Sequence, residues 1–362
     1  MSRIRVLVTD DSAFMRQVVT RALEGDSRFE VVGTAASGAE AVEQCKKLHP
    51  DVVTMDFNMP GMNGAEATRA ILAERAVPVV MLSAHTAQGA KETLQALEAG
   101  AVDFVTKPSG EVSATLGEAK AELIDKLIAA AGANVSLLAP PVPSAPRIVE
   151  KSDAFEPEAR SSPMSSRRML VAGQHRLVVV ASSTGGPQAL LRVVPQLKLA
   201  GRAALLLVQH MPDGFTGALA EQLTEAAGFP VREAQAGDLA APGSALLAPG
   251  GTHLLLDRTG RVQLRADPPV HGVRPAADPT LVSAAQSFGA RCIGVVLTGM
   301  GRDGAKGLAA VKASGGSTLA QDRATSLVYG MPKAAVELGV VDTVSPLERI
   351  AAVINRWLDP PT

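Results

Sequence analysis

The stretch "IRVLVTDDSAFMRQVVTRALEG", residues 4–25, holds a fold in miniature. Its first half is a short apolar run ending in Asp10 and Asp11, and its second half sets apolar residues at helical spacing behind Ser12. A buried strand feeding directly into a helix is the repeating unit of a parallel sheet. The pairing recurs down the chain. "FEVVGTA" precedes "GAEAVEQCKKL", "PDVVTMDF" precedes "GAEATRAILAE", "VPVVMLSA" precedes "GAKETLQALEAG", and "AVDFVTKP" leads into "AKAELIDKLIAA". Five such units predict a domain over residues 1–125, a five-stranded parallel sheet with helices on both faces.

The pattern then breaks. Residues 126–170 finish the last helical run and continue as "APPVPSAPRIVEKSDAFEPEARSSPMSSRR", rich in Pro, Ser and charge and without apolar period. Such composition reads as an interdomain linker. Alternation resumes over residues 171–362 through "HRLVVVASS", "RAALLLVQH", "GSALLAPGG", "THLLLD", "RVQLRAD", "RCIGVVLTG" and "GGSTLAQD". The middle runs are short and close together, as in hairpins. The expectation is a second α/β domain, its sheet mostly parallel with some antiparallel strands.

A chain of 362 residues suits two domains. Its 35 basic and 36 acidic residues nearly cancel, which offers no grip on nucleic acid or an anionic membrane. Aromatics at 3% leave little for base stacking. Cys45 and Cys292 are far apart in apolar runs and form no zinc-type cluster. No apolar run approaches the roughly 18–20 residues of a membrane span, and "MSRIRVLVTDDS" has no signal-peptide core. A cytoplasmic protein without membrane insertion is expected.

Ligands of parallel sheets bind beyond the carboxyl ends of the strands. In the first domain those ends carry Asp10 and Asp11, then Asp56, Ser83 and Lys107. Three carboxylates together call for a hard divalent cation such as Mg²⁺. With the charge so balanced, one carboxylate can attack a phosphoryl donor, and the hydroxyl and ammonium can hold the new phosphate oxygens.

In the second domain Ser183, His210 and Asp303 follow the runs "LVVVASS", "AALLLVQ" and "IGVVLTG", so three strand ends can bring them to one edge. They supply a nucleophile, a base and a group that orients the base. The adjacent glycines can expose backbone N–H groups to a developing oxyanion. Two other readings compete: a phosphate cradle made by "SSTGGP" at a helix start, and a catalytically silent, phosphorylation-switched receptor-binding adaptor. No Walker lysine or ribose-binding acid follows the first, and an adaptor has no use for all three residues.

"TDDS", "TMDFNMPGMNG", "MLSA" and "DFVTKP" resemble the receiver domain of two-component response regulators. The resemblance implies a flavodoxin-like fold, Mg²⁺ at Asp10, Asp11 and Asp56, and phosphorylation of Asp56 by a chemotaxis histidine kinase. It places Ser83 and Lys107 as phosphate sensors and Phe104 at the aromatic switch position. "ASSTGGP", "QHMPDGFT", "LTGMGRDGA" and "AQDRATSLVYGMPKAA", in that order, resemble the chemotaxis protein-glutamate methylesterase domain. This second resemblance implies Ser183 as nucleophile, His210 as base and Asp303 as its orienter. The Met300 N–H, with Thr184 beside it, falls in the oxyanion region. It also implies that methyl-accepting chemoreceptors are the substrate and that the esterase reaction needs no cofactor. Two positions depart from the family pattern: Ala181, where glycine is common, and Arg323, where an acidic residue is common.

Overall fold

The computed structural model describes residues 3–107, 113–138 and 175–359. Its first domain runs β1 (Ile4–Thr9), α1 (Ala13–Glu24), β2 (Phe29–Ala35), α2 (Gly38–Leu48), β3 (Val52–Asp56), α3 (Gly64–Glu74), β4 (Val79–Ser83), α4 (Ala87–Glu98), β5 (Asp103–Thr106) and α5 (Ser113–Ala131). The sheet order is β2-β1-β3-β4-β5, with every neighbour parallel. The helices begin where short polar side chains satisfy open backbone N–H groups. Ser12, Ser37 and Thr86 each accept one, and Asn63 and Glu66 cap reciprocally.

The boundary expected at residue 125 falls inside α5. Leu123, Ile124 and Leu127 of that helix pack in one cluster with Val6, Val8 and Val80, so the helix is part of the first domain. The Pro/Ser-rich part of the expected linker lies outside the described residues.

The second domain runs β6 (Arg176–Ser182), α6 (Gly186–Val193), β7 (Ala203–Gln209), α7 (Thr216–Ala227), β8 (Val231–Glu233), β9 (Ala245–Leu247), β10 (His253–Leu256), β11 (Val262–Arg265), α8 (Ala277–Phe288), β12 (Cys292–Val296), α9 (Ala305–Ala313), β13 (Ser317–Gln321), α10 (Met331–Glu337), β14 (Thr343–Ser345) and α11 (Leu347–Leu358). The seven-stranded sheet has the order β14-β13-β12-β6-β7-β9-β8 and is parallel throughout. Strands β6, β7 and β12 are buried along almost their whole length, which is why they read as unbroken apolar runs.

The antiparallel expectation holds for one hairpin, β10 with β11. The short run "GSALLAP" belongs elsewhere, because β9 lies parallel between β7 and β8. The direction of the chain reverses across the sheet at β6, with β7 on one side and β12 on the other. The carboxyl ends around that reversal form the crevice where parallel sheets bind ligands.

Candidate functional site

At the β1/β3 edge of the first sheet the expected pocket forms. Asp10, Asp11 and Asp56 each bring a carboxylate oxygen within 4.8 Å of the others. Lys107 Nζ lies 2.8 Å from Asp10 Oδ2 and 2.8 Å from Asp56 Oδ1. Burial holds the Asp56 carboxyl above the ordinary carboxylate range, a push that Lys107 and the Phe57 N–H only partly offset. Burial pushes the Lys107 ammonium down, but its two carboxylate contacts outweigh this and keep it raised. Asp10 Oδ2 is buried and takes no hydrogen bond beyond its charge contact with Lys107. An all-oxygen donor set with one such unsatisfied atom fits a hard divalent cation.

Ser83, by contrast, faces α4, donating to Gly89 O at 3.2 Å and accepting from Thr93 Oγ1 at 2.6 Å.

In the second domain Ser183 follows β6, His210 follows β7 and Asp303 follows β12, at the three central carboxyl ends. His210 Nε2 lies 2.7 Å from Asp303 Oδ2, leaving Nδ1 as the ring nitrogen for a proton transfer. Asp303 is fully buried and accepts backbone N–H groups from Ala277 and Asp278 at the start of α8. Burial pushes its carboxyl up. The His210 contact and these amides pull harder in the other direction, holding it below the usual range.

Ser183 is half-buried, its N–H donating to Thr298 O at 3.0 Å. Its Oγ makes no hydrogen bond to His210 among the described residues, a separation common in hydrolases without substrate. The neighbouring Ser182 is ruled out physically: its hydroxyl is fully buried and donates to Gln209 Oε1 at 2.7 Å.

The glycines here meet close contacts. A Cβ on Gly299 would sit 2.7 Å from Ser183 Cβ, and one on Gly186 would sit 2.0 Å from Gln209 Oε1. Gly185 and Gly304 open α6 and α9 with φ of 74° and 87°, turns that favour glycine. Met300 stands in the loop between β12 and Asp303. Burial raises the thiols of Cys45 in the first domain and Cys292 in the second to about 12.

Sequence reasoning missed two features. His271 Nε2 lies 2.9 Å from Asp278 Oδ2, and these two with Asp303 bring ligand-type atoms within 4.8 Å of one another. The only hint was a histidine in the Pro- and Gly-rich loop ahead of α8. The second domain's remaining histidines are buried away from the site: His253 opens β10, and His175 approaches Ala240 O at 2.9 Å.

The second missed feature is which residues join the two domains. Thr184 Oγ1 donates to Asp103 Oδ2 of β5 at 2.5 Å, so in this arrangement its hydroxyl serves the domain contact. Gln188 donates to Leu97 O and Ala101 O, Asn134 N–H donates to Leu327 O, and Gln222 donates to Glu98. Phe104 stacks on Phe215 with ring centroids 4.7 Å apart, and Lys126 lies over the Phe104 ring. The residue expected at the aromatic switch position is therefore buried against the second domain, beside the segment that carries Ser183.

Together these features define a class, an acidic-pocket α/β domain docked on an α/β domain with hydrolase-type residues at its strand ends. Family models agree with that division. The model described as response regulator receiver domain matches residues 6–115, and that described as CheB methylesterase matches residues 178–354. The protein-glutamate methylesterase/protein-glutamine glutaminase of Symbiobacterium thermophilum is 48% identical over 98% of this chain and 96% of its own. That of Pyrococcus abyssi is 45% identical over 99% of this chain and 94% of its own. Among solved structures, the Thermotoga maritima CheB methylesterase catalytic domain is 41% identical, covering 51% of this chain and 99% of that one at a TM-score of 0.49. The chain belongs to the protein-glutamate methylesterase/protein-glutamine glutaminase family. No helix among the described residues is long and apolar enough to cross a membrane.

Proposed function

We propose that the chain is a phosphorylation-activated methylesterase of chemotaxis adaptation. It hydrolyses glutamate γ-methyl esters on chemoreceptors to glutamate and methanol, and receptor glutamine amides to glutamate and ammonia. The observation that carries this reading is the His210–Asp303 pair at 2.7 Å, with a buried carboxylate held ionised beside the Ser183 strand end.

Asp303 fixes the ring through Nε2, and Nδ1 takes the Ser183 proton as Oγ attacks the ester carbonyl. Backbone N–H groups of the glycine-rich loops, Met300 among them, receive the oxyanion. His210 then passes the proton to the departing methoxide, methanol leaves, and water releases the acyl group by the same route. A receptor carboxylate remains.

In the receiver, Asp10, Asp11 and Asp56 would hold Mg²⁺, which when bound supplies the positive charge that lets a carboxylate meet a phosphoryl group. A chemotaxis histidine kinase is the phosphodonor in this reading. Asp56 accepts the phosphoryl group, Lys107 holds one of its oxygens, and Ser83 turns from α4 to hold another. The new charge of about −1.5 to −2 disturbs the β4–β5 edge. Phe104 and Asp103, both on that edge, touch the second domain at Phe215 and Thr184. A shift there changes access to Ser183.

The test is methanol release from methylated receptor membranes by the whole chain and by Ser183→Ala. Release lost in the variant upholds the reading. Equal release by both would place the nucleophile elsewhere.

A further inference from the structure

Along the β12–α9 loop that carries Asp303 runs a groove of about 760 Å³, walled by that loop, the first turn of α9 and one face of α10. Its lining includes Arg302, Lys306, Tyr329, Lys333 and Leu338, with His271 at one side. The groove and the nucleophile share their supports. Arg302 sits directly between Gly301 and Asp303, and Gly330 of the groove donates its N–H to Gly299, the residue pressed against Ser183.

The charges on this surface are unbalanced. The side chains of Arg302 and Lys306 are exposed and make neither an ion pair nor a hydrogen bond among the described residues. Lys333 meets Glu337 one helical turn away at 3.6 Å. Arg323, the position noted for departing from its family, lies over the Tyr329 ring at 4.9 Å and adds a further cation to the rim. The chain as a whole carries −1, so this local excess is not inherited from its composition. Between the cations lies apolar surface, with Leu338 53% exposed. A cationic rim over an apolar floor suits an amphipathic acidic helix.

No lining residue of the groove comes from the receiver. The receiver meets the second domain through Thr184, Gln188, Phe215 and Leu327 instead.

We propose that this groove docks the helix that carries the scissile ester, by pairing Arg302, Lys306 and Lys333 with glutamate carboxylates one to two turns away. On a helix those positions lie about 5–11 Å from the ester along the axis. The proposal rests on the methylesterase reading of the Ser183 site. It deepens that reading by making charge next to the ester a determinant of specificity. Each carboxylate the enzyme produces then becomes a docking group for the next ester on the same helix.

The test uses the full chain with phosphodonor and two synthetic helical peptides, each with one glutamate γ-methyl ester. One carries Glu one and two turns away, and the other carries Ala there. The acidic peptide is expected to show about tenfold higher kcat/KM, the scale of two surface ion pairs. The advantage should shrink as salt rises. The double variant Lys306→Glu, Lys333→Glu should abolish it while hydrolysing p-nitrophenyl acetate at the wild-type rate. Equal kcat/KM for both peptides in the wild type, or equal losses on the peptides and p-nitrophenyl acetate in the variant, would overturn the proposal.

Binding of the labelled peptides to Ser183→Ala protein, read by fluorescence anisotropy, separates docking from chemistry. If wild type hydrolyses neither peptide but the groove charges still decide binding, docking stands and the esterase reading falls. If the acidic peptide binds no better than its neutral partner, the groove proposal falls whatever the hydrolysis shows.

Discussion

At the scale of single residues, three positions at the ends of β6, β7 and β12 carry the account. Removing the Ser183 hydroxyl should cut methanol release by about 10⁴-fold or more, and Asp303→Asn should cost about 10⁴-fold by releasing the His210 ring. Circular dichroism should remain native in both. Gly299→Ala is expected to be nearly as damaging without replacing a triad residue, because its Cβ would meet Ser183 Cβ at 2.7 Å. A wild-type rate for Gly299→Ala would show that the loop yields easily. Asp303 also sets a pH dependence of stability. Its folded carboxyl lies below the ordinary range, so its contribution is present above the unfolded value near 3.8 and is lost as pH falls through the lower folded one. The melting temperature of Asp303→Asn should therefore lie below wild type at neutral pH and converge with it in acid. Ser183, His210 and Asp303 were legible because buried parallel strands write their ends plainly, as apolar runs broken by a polar residue and glycine. His271 was not, because only the fold of the loop before α8 brings it to Asp278.

At the scale of elements, α4, β5 and the segment after α5 of the receiver form the working contact. Gln188 at the start of α6 makes two hydrogen bonds to carbonyls flanking the α4–β5 turn, at 3.0 and 2.8 Å. Gln188→Ala should weaken this contact by about 1–3 kcal/mol. The unphosphorylated rate should rise severalfold, and the further gain from a phosphodonor should shrink accordingly. An unchanged basal rate would mean that the contact does not limit access. The receiver's strands and helices and the longer strands of the second domain were readable from period, since β6 and β7 are apolar but for Arg176, Ser182 and Gln209, and the receiver helices open on caps such as Asn63. Strand β9 was not. Three residues long, it looks like part of a hairpin, and only the neighbouring β7 and β8 make it parallel.

At the scale of the whole molecule, two sites are joined by a contact between residues far apart in the chain, such as Asp103 with Thr184 and Phe104 with Phe215. No local pattern encodes such a contact, because each partner taken alone is an ordinary buried residue, and only the packing of one domain on the other pairs them. The acidic pocket has its own stability signature. The Asp56 carboxyl is raised by burial, so its favourable share belongs to the protonated form. That share is present below the unfolded value and lost as pH rises through the folded one. In metal-free buffer at neutral pH, Asp56→Asn should melt higher than wild type, and the gap should close in acid. Mg²⁺ should then stabilise wild type, by about 2.7 kcal/mol at a concentration 100 times its dissociation constant. Asp56→Asn should gain far less. The central claim is that the state of Asp56 governs hydrolysis at Ser183. The most direct measurement is the rate of methanol release from methylated receptor membranes, with and without Mg²⁺ and a small phosphodonor, for wild type and Asp56→Asn. The account predicts a rise with phosphodonor in wild type and a flat response in the variant. An equal rise in both, or none in either while hydrolysis proceeds, would contradict it.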